Sequence, residues 1–207
     1  MSGRILITSG PTREHLDPVR YLSNASSGQM GRCLAAAAID SGYEVIVVSG
    51  PVDVDYPAQA TVISVETTQQ MLDAVVEQWD QCVGIIAAAA PCDFRPASPS
   101  DSKIKRNGDE PLSISLVANP DILKTVGDSK QSHQWSIGFA LETENGIENA
   151  VAKLKRKNCD LIVLNSPTAI NAASSEVKII GSDGAVVLEA NGSKTEIAAS
   201  ILKLMCS

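Results

Sequence analysis

RILITSGPT at 4–12 and GQMGRCLAAAAIDSG at 28–42 are the two stretches on which the fold turns. The first is a short apolar run closed by Ser9, Gly10 and Pro11, the pattern of a buried strand that stops at a turn. The second is rich in strong helix formers and ends at Gly42, which suits a left-handed C-terminal stop. A strand that passes through glycines into a helix predicts a parallel crossover unit. The polar stretch 12–27 between them reads as loop.

Working outward, 44–48 is the next strand and VISV at 62–65 the third. Residues 67–81 place Met71, Leu72, Val75, Val76 and Trp79 on one helical face. VGIIAAAA at 83–90 has no polar interruption, as a central strand covered on both faces requires. A loop rich in proline, serine and charge follows to residue 111. An alternating strand is expected at 112–117, then a short helix in NPDILKTVG with Pro120 in its first turn. Strands at 135–140 and 160–165 flank a helix at 145–157. VKII and AVVLE around Asp183-Gly184 predict a hairpin, and a last helix covers 194–205. The expected architecture is one α/β domain over 1–207: a Rossmann-like, doubly wound, mainly parallel sheet with helices on both faces and a C-terminal β-hairpin.

A chain of 207 residues supports one large core. With 44% apolar but only 3% aromatic residues, that core must be built from Ala, Ile, Val and Leu. Lys plus Arg number 17 against 24 Asp plus Glu, a net charge of -7, which disfavours nucleic acid or an anionic membrane as partner. Lys103, Lys105 and Arg106 are a local exception, suited to an anionic small molecule. Five cysteines without a CxxC, and two histidines, argue against a zinc site or disulfide scaffold and fit a reducing cytoplasm. No apolar run approaches the roughly 18 residues of a membrane span, and no secretory signal is read.

Ligands of open α/β sheets bind beyond the carboxyl ends of the strands, so the residues that follow strands carry the chemistry. Gly10 with Ser27 and Gly28 offers backbone N–H groups at a helix start, a phosphate-binding arrangement. Its halves lie far apart in sequence, where a dinucleotide fingerprint is compact, and no Gly-Lys-Ser/Thr completes a P-loop. Arg20 presents a planar fork for a phosphate or carboxylate. Asn24 can donate and accept, which suits an acyl carbonyl. Asp93 follows the central strand and can hold a ribose hydroxyl, a base amine or magnesium. Lys103 sits in a loop able to close over a triphosphate. Phe139 can pack on a nucleobase or in the core. Asn119-Pro120-Asp121, Glu142 and Asn165 lie at element boundaries, where capping explains them as well. A cap, a turn and a solvated charged face are the plain structural readings of the first three clusters. His15 and His133 receive no role, and no Ser–His–acid or Cys–His spacing supports covalent hydrolysis.

SGPTRE (9–14), DPVRYLSNASSGQMG (17–31), AAAAPCDFRPA (87–97), KIKR (103–106), NPDIL (119–123), GFALET (138–143) and DLIVLN (160–165) together resemble the phosphopantothenoylcysteine synthetase family. Seven motifs in family order, over nearly the whole chain, make the resemblance specific. It implies amide synthesis in two steps. The carboxylate of 4'-phosphopantothenate attacks the α-phosphate of CTP with Mg²⁺ present and releases pyrophosphate. The amine of L-cysteine then attacks the acyl-cytidylate and releases CMP. The resemblance assigns Asn24 to the acyl carbonyl and Arg20, with Ala90, to the pantothenate substrate. Lys103, Asp93, Ala89, Gly10, Ser27, Gly28, Lys105 and Phe139 fall on the nucleotide side. It also implies a homodimer, with 112–117 or the 177–189 hairpin as pairing edge. A flavin-dependent decarboxylase domain often precedes such a chain in the family and is absent from 1–207. Metal ligands are not assigned.

Pro91-Cys92 departs from the small aliphatic pair of many relatives, KIKR replaces a commoner KIKK, and Ala118 replaces a lysine of some bacterial relatives. The enzymatic rival is an NAD(P)-dependent reductase, but Val47-Val48-Ser49-Gly50 carries no acidic ribose partner. A non-catalytic nucleotide-binding protein is the other rival.

Overall fold

The computed structural model describes residues 3–109, 111–141, 145–165 and 174–205. The chain opens with β1 (Arg4–Ser9), β2 (Arg13–Asp17), β3 (Arg20–Ser23) and α1 (Gln29–Asp40). Then come β4 (Glu44–Ser49), β5 (Thr61–Ser64), α2 (Thr68–Trp79) and β6 (Gly84–Ala87). The middle holds β7 (Phe94–Pro96), β8 (Leu116–Ala118), α3 (Ile122–Ser129) and β9 (Trp135–Leu141). The last third is α4 (Gly146–Lys157), β10 (Leu161–Asn165), β11 (Ser175–Gly181), β12 (Val186–Gly192) and α5 (Lys194–Met205).

Eight strands form the main sheet in the order β12-β11-β10-β9-β6-β1-β4-β5. All neighbours from β10 to β5 run parallel; β11 pairs antiparallel with both β10 and β12, the latter as the predicted hairpin. Strand alternation divides the core in two. Ile5, Ile7, Val45, Val47 and Ile86 face α1 and α5, packing with Leu34, Ala38, Ile197 and Ile201. Leu6, Ile46, Val48 and Ile85 face the other way, with Met71 and Val75 of α2, Val126 of α3 and Leu154 of α4. Helices on both faces explain why these strands read as continuous apolar runs. None of the helices among the described residues is long and apolar enough to cross a membrane.

The chain leaves β1 through α1 to reach β4 on one side, while β6 lies on the other side of β1. The order reverses between β1 and β6, and that gap is where such sheets open to ligands.

Several sequence expectations need correction. Residues 12–27 are not plain loop: β2 and β3 pair antiparallel as a separate two-stranded ribbon. Charged residues inside the ribbon hide its alternation, and the turn is made by Asp17, whose Oδ1 accepts the N–H of Val19 and of Arg20, each at 2.9 Å. Residues 112–117 do not join the sheet. Only Leu116–Ala118 is extended, paired with Phe94–Pro96 in a second small ribbon. The central strand ends at Ala87 rather than Ala90. Beyond it, Ala88 N–H donates to Thr8 O at 3.2 Å and Ala90 N–H to Gly10 O at 2.9 Å, so the exit bends across the end of β1. Pro120 lies outside α3, before the N-cap Asp121, whose carboxylate accepts Lys124 N–H at 3.0 Å.

Candidate active site

The two glycine halves meet in space. Gly10 and Gly28 both adopt positive φ, 76° and 75°, a backbone conformation that disfavours any side chain. A Cβ on Gly10 would stand 2.7 Å from Val52 Cγ1, and one on Gly28 2.9 Å from the same atom. Ser9 Oγ donates to Gly28 O at 3.2 Å and accepts from Tyr56 OH at 2.8 Å, joining the end of β1 to the start of α1. The β2–β3 ribbon therefore leaves and returns without breaking the turn. Gly28 caps α1 without a side chain, so the free N–H groups and positive dipole of the helix start are available to an anion.

Residues 28–31 form one wall of a cleft of about 680 Å³, within the usual size of small-molecule sites. The opposite wall is the exit of β6, residues 88–93. Asn24 reaches across to it: its Nδ2 donates to Ala90 O at 3.1 Å and Pro91 O at 3.0 Å. Below this exit is a polar knot. Thr12 Oγ1 accepts Cys92 N–H at 2.9 Å and shares a hydrogen with Thr68 Oγ1 at 2.8 Å. Asn119 Nδ2 donates to Cys92 O at 2.9 Å, and Arg95 Nη1 donates to Asn119 Oδ1 at 3.0 Å. Burial pushes the Cys92 thiol above its ordinary pKa despite the Thr12 contact, so it is not a ready nucleophile.

The third side is cationic. Lys153 and Lys157 of α4 and Lys194 at the start of α5 all line the cleft. Lys153 Nζ donates to Phe139 O at 2.6 Å, and Lys157 Nζ pairs with Asp121 Oδ2. Burial opposes charge on Asp121, but Lys157 and the Lys124 N–H outweigh it and hold the carboxyl below its usual range. Among the described residues no cluster of three or more His, Cys, Asp or Glu could hold a metal.

Of the residues singled out from sequence, Asn24, Ser27, Gly28, Ala89, Ala90, Asp93 and Phe139 line this cleft. Gly10 is buried and does not line it. Arg20, Lys103 and Lys105 also lie outside its lining in the single chain. Arg20 instead grips Asp17 through Nε at 3.0 Å and Nη2 at 2.5 Å, and donates from Nη2 to Ile104 O at 2.7 Å. Glu142 lies outside the described residues. The sequence reading missed Lys153, Lys157 and Lys194. Lys153 and Lys157 stand four apart on α4, on one face of the helix, and that spacing was the available signal.

Residues 1–207 match the family described as the DNA/pantothenate metabolism flavoprotein C-terminal domain. The coenzyme A biosynthesis bifunctional protein CoaBC of Vibrio vulnificus is 39% identical over 204 residues, 96% of this chain and 51% of that protein. That of Escherichia coli is 44% identical over 191 residues, 89% and 47% respectively. The crystal structure of a CoaBC C-terminal domain superposes with a TM-score of 0.83 at 40% identity, covering 98% of this chain and 93% of that one. A Streptococcus pneumoniae DNA/pantothenate metabolism flavoprotein, with a TM-score of 0.85 at 23% identity, shares the fold. An α/β domain with a phosphate-type glycine turn at its switch point is thus the class. The chain belongs to the DNA/pantothenate metabolism flavoprotein C-terminal domain family and corresponds to the synthetase domain of bacterial CoaBC. It spans about half the length of the curated relatives it matches.

Proposed function

We propose that this chain is a phosphopantothenate–cysteine ligase that activates its carboxylate substrate with CTP. The observation that carries the reading is the convergence, on one cleft, of the rejoined glycine turn, three lysines and Asn24. A carboxylate is a poor electrophile at neutral pH, so amide synthesis needs a leaving group better than oxide. Transfer to the α-phosphate of CTP supplies one: the carboxylate oxygen bonds to phosphorus, the bond to the β-phosphate oxygen breaks, and pyrophosphate departs. The cysteine amine then attacks the acyl carbon, loses a proton, and CMP departs with the bonding pair.

The chain's own contribution is orientation and charge. Helix N–H groups at residues 28–31, with Lys153 and Lys157, suit the triphosphate and the charge that builds on pyrophosphate. Phe139 and the 88–93 backbone suit the base and ribose. Asn24 already holds Ala90 O and Pro91 O, and its Oδ1 accepts nothing among the described residues. It can steer the acyl group by accepting an N–H there, or by exchanging a carbonyl of residue 90 or 91 for that of the substrate. Lys103 acts from the neighbouring loop when it closes, and Arg20 from the start of β3 beneath it. Mg²⁺ fits as an ion held mainly by phosphate oxygens, where it adds positive charge. Asp93 is the cleft carboxylate whose side chain accepts no hydrogen bond among the described residues, so it is the donor to offer.

A homodimer accompanies this reading. Phe94, Leu112 and Leu116 are 54%, 59% and 46% exposed on and beside the β7–β8 ribbon, an apolar surface a second copy would cover. A flavin-dependent decarboxylase, as a separate chain or a fused one, supplies the next step. The test is pyrophosphate release with 4'-phosphopantothenate and Mg²⁺, CTP against ATP, followed by L-cysteine addition. CTP-dependent release, and CMP formation on adding cysteine, is the expected result. A folded protein that releases no pyrophosphate with either nucleotide overturns the proposal.

A further inference from the structure

The carboxylate of Asp17 is fully buried and takes no part in the cleft. It accepts five hydrogens. Oδ1 takes the N–H groups of Val19 and Arg20; Oδ2 takes Arg20 Nε, Arg20 Nη2 and, at 3.1 Å, the N–H of Ile104. The first four lie within the ribbon turn, but the fifth comes from 87 residues away. Arg20 completes the grip by donating to Ile104 O at 2.7 Å. Both backbone polar groups of Ile104 are thus held by one ion pair. One position before Asp17, Leu16 O accepts Ser100 N–H at 2.9 Å.

Ile104 lies between Lys103 and Lys105, both exposed. Beyond it, Arg106 bonds to its own loop, donating to Gly108 O at 2.6 Å and pairing with Asp109. At the base of the segment its own two ends meet, Ala97 N–H donating to Ser115 O at 2.9 Å. A turn that needed only an Asx cap would use one carboxylate oxygen. The second oxygen is spent on Arg20 and the distant loop.

We propose that Asp17 is a positioning residue for the ligation: its buried carboxylate pins Ile104 and so fixes the root from which Lys103 reaches the nucleotide. The inference rests on the ligase reading and on Lys103 serving it.

The experiment is a double-mutant cycle in the full chain, with initial rates of CTP-dependent pyrophosphate release for wild type, D17N, K103A and both together. The D17N side chain keeps the shape of the carboxylate but sets an NH₂ or an uncharged oxygen against three donors. Each charge-assisted bond lost is worth roughly tenfold or more, so kcat/KM for CTP falls at least about tenfold in D17N. In the K103A background D17N costs almost nothing further, because the anchored group is already gone. A merely structural role moves the two backgrounds by the same factor, and that additivity overturns the proposal, as does a K103A protein with wild-type kinetics. If D17N does not fold, amide hydrogen exchange of the wild type decides. Ile104 exchanges at least about tenfold more slowly than Lys103 and Lys105 if it is pinned; equal rates overturn the pin. An inactive wild type condemns the ligase reading instead, whatever the exchange shows.

Discussion

Residues 88–93 and 97–115 are separated only by β7, yet they are held in opposite ways. The first is knotted into the body: Thr12, Thr68 and Asn119 satisfy both backbone groups of Cys92, and Asn24 clasps the carbonyls of Ala90 and Pro91. Among its described residues the second is tied to the body chiefly by Ser100 to Leu16 and Ile104 to Asp17. A buried, fully satisfied network specifies one arrangement, whereas a segment hung from few bonds can take several. On the proposed reading, the difference gives the site a preformed wall at 88–93 and an adjustable cation-bearing segment beside it.

That contrast can be broken from the rigid side first. Gly50→Ala would place a Cβ 1.7 Å from Pro11 O, backbone against backbone, where the chain crosses from β1 into the ribbon. We expect a loss of about 3 kcal/mol or failure to fold, read from urea unfolding. Thr12→Val strands the Cys92 N–H and leaves the Thr68 hydroxyl only its longer contacts to Cys92 O at 3.4 Å and Asn119 Nδ2 at 3.3 Å, and should cost about 1–3 kcal/mol by the same measurement. Asn24→Ala removes an exposed side chain, so stability should change by about 0.5 kcal/mol or less while product formation falls roughly 100-fold. Equal losses in stability and in rate would show that Asn24 belongs to the scaffold alone.

Acid sharpens the comparison with the smallest perturbation. The Arg20 guanidinium beside Asp17, with the N–H donors, holds that carboxyl well below the ordinary carboxylate range. A carboxylate depressed on folding stabilises the native state fully above its unfolded pKa of about 3.9, and the gain is lost as pH falls through the lower folded value. The pin should therefore be intact at neutral pH and weaken only below about pH 4. Hydrogen exchange on lowering pH should show Ile104 opening while the Cys92 amide, held by an uncharged threonine, stays protected. Simultaneous opening would mean that the two regions are one cooperative unit.

The sheet was legible because its strands are buried on both sides and need no partner to be recognised: Ile5–Ile7 and Ile85–Ile86 are apolar whichever face they take. The ribbons were not. Residues 13–23 carry charge on many positions, and what makes them extended is an Asx turn at Asp17 and a bridge from Ser23 Oγ to Thr12 O at 2.8 Å, neither visible as periodicity. Leu112 and Ile114 alternate as a strand would, but the partner chosen was the three-residue piece Phe94–Pro96, too short to reach them. In the site, Asn24, Ser27, Gly28, Ala89, Ala90, Asp93 and Phe139 line the cleft, whereas Gly10, directly after β1, is buried outside its lining. Lys153, Lys157 and Lys194 escaped notice because each sits on a helix whose sequence is explained by amphipathicity alone. Arg20 was read as a ligand group, and its deep pairing with Asp17 could not be foreseen from two residues three apart.

The ribbon inserted between the halves of the glycine turn is closed at its neck and loaded at its tip. Its base, where Thr12 meets Ser23, keeps the floor at Gly10 and Gly28 in register, while its far end at Asp17 steadies a different part of the molecule. Substitutions or length changes in the outer part would thus shift the segment at Ile104 without disturbing the glycine turn at the start of α1. Two distant parts of the molecule become separately adjustable through a single excursion of the backbone.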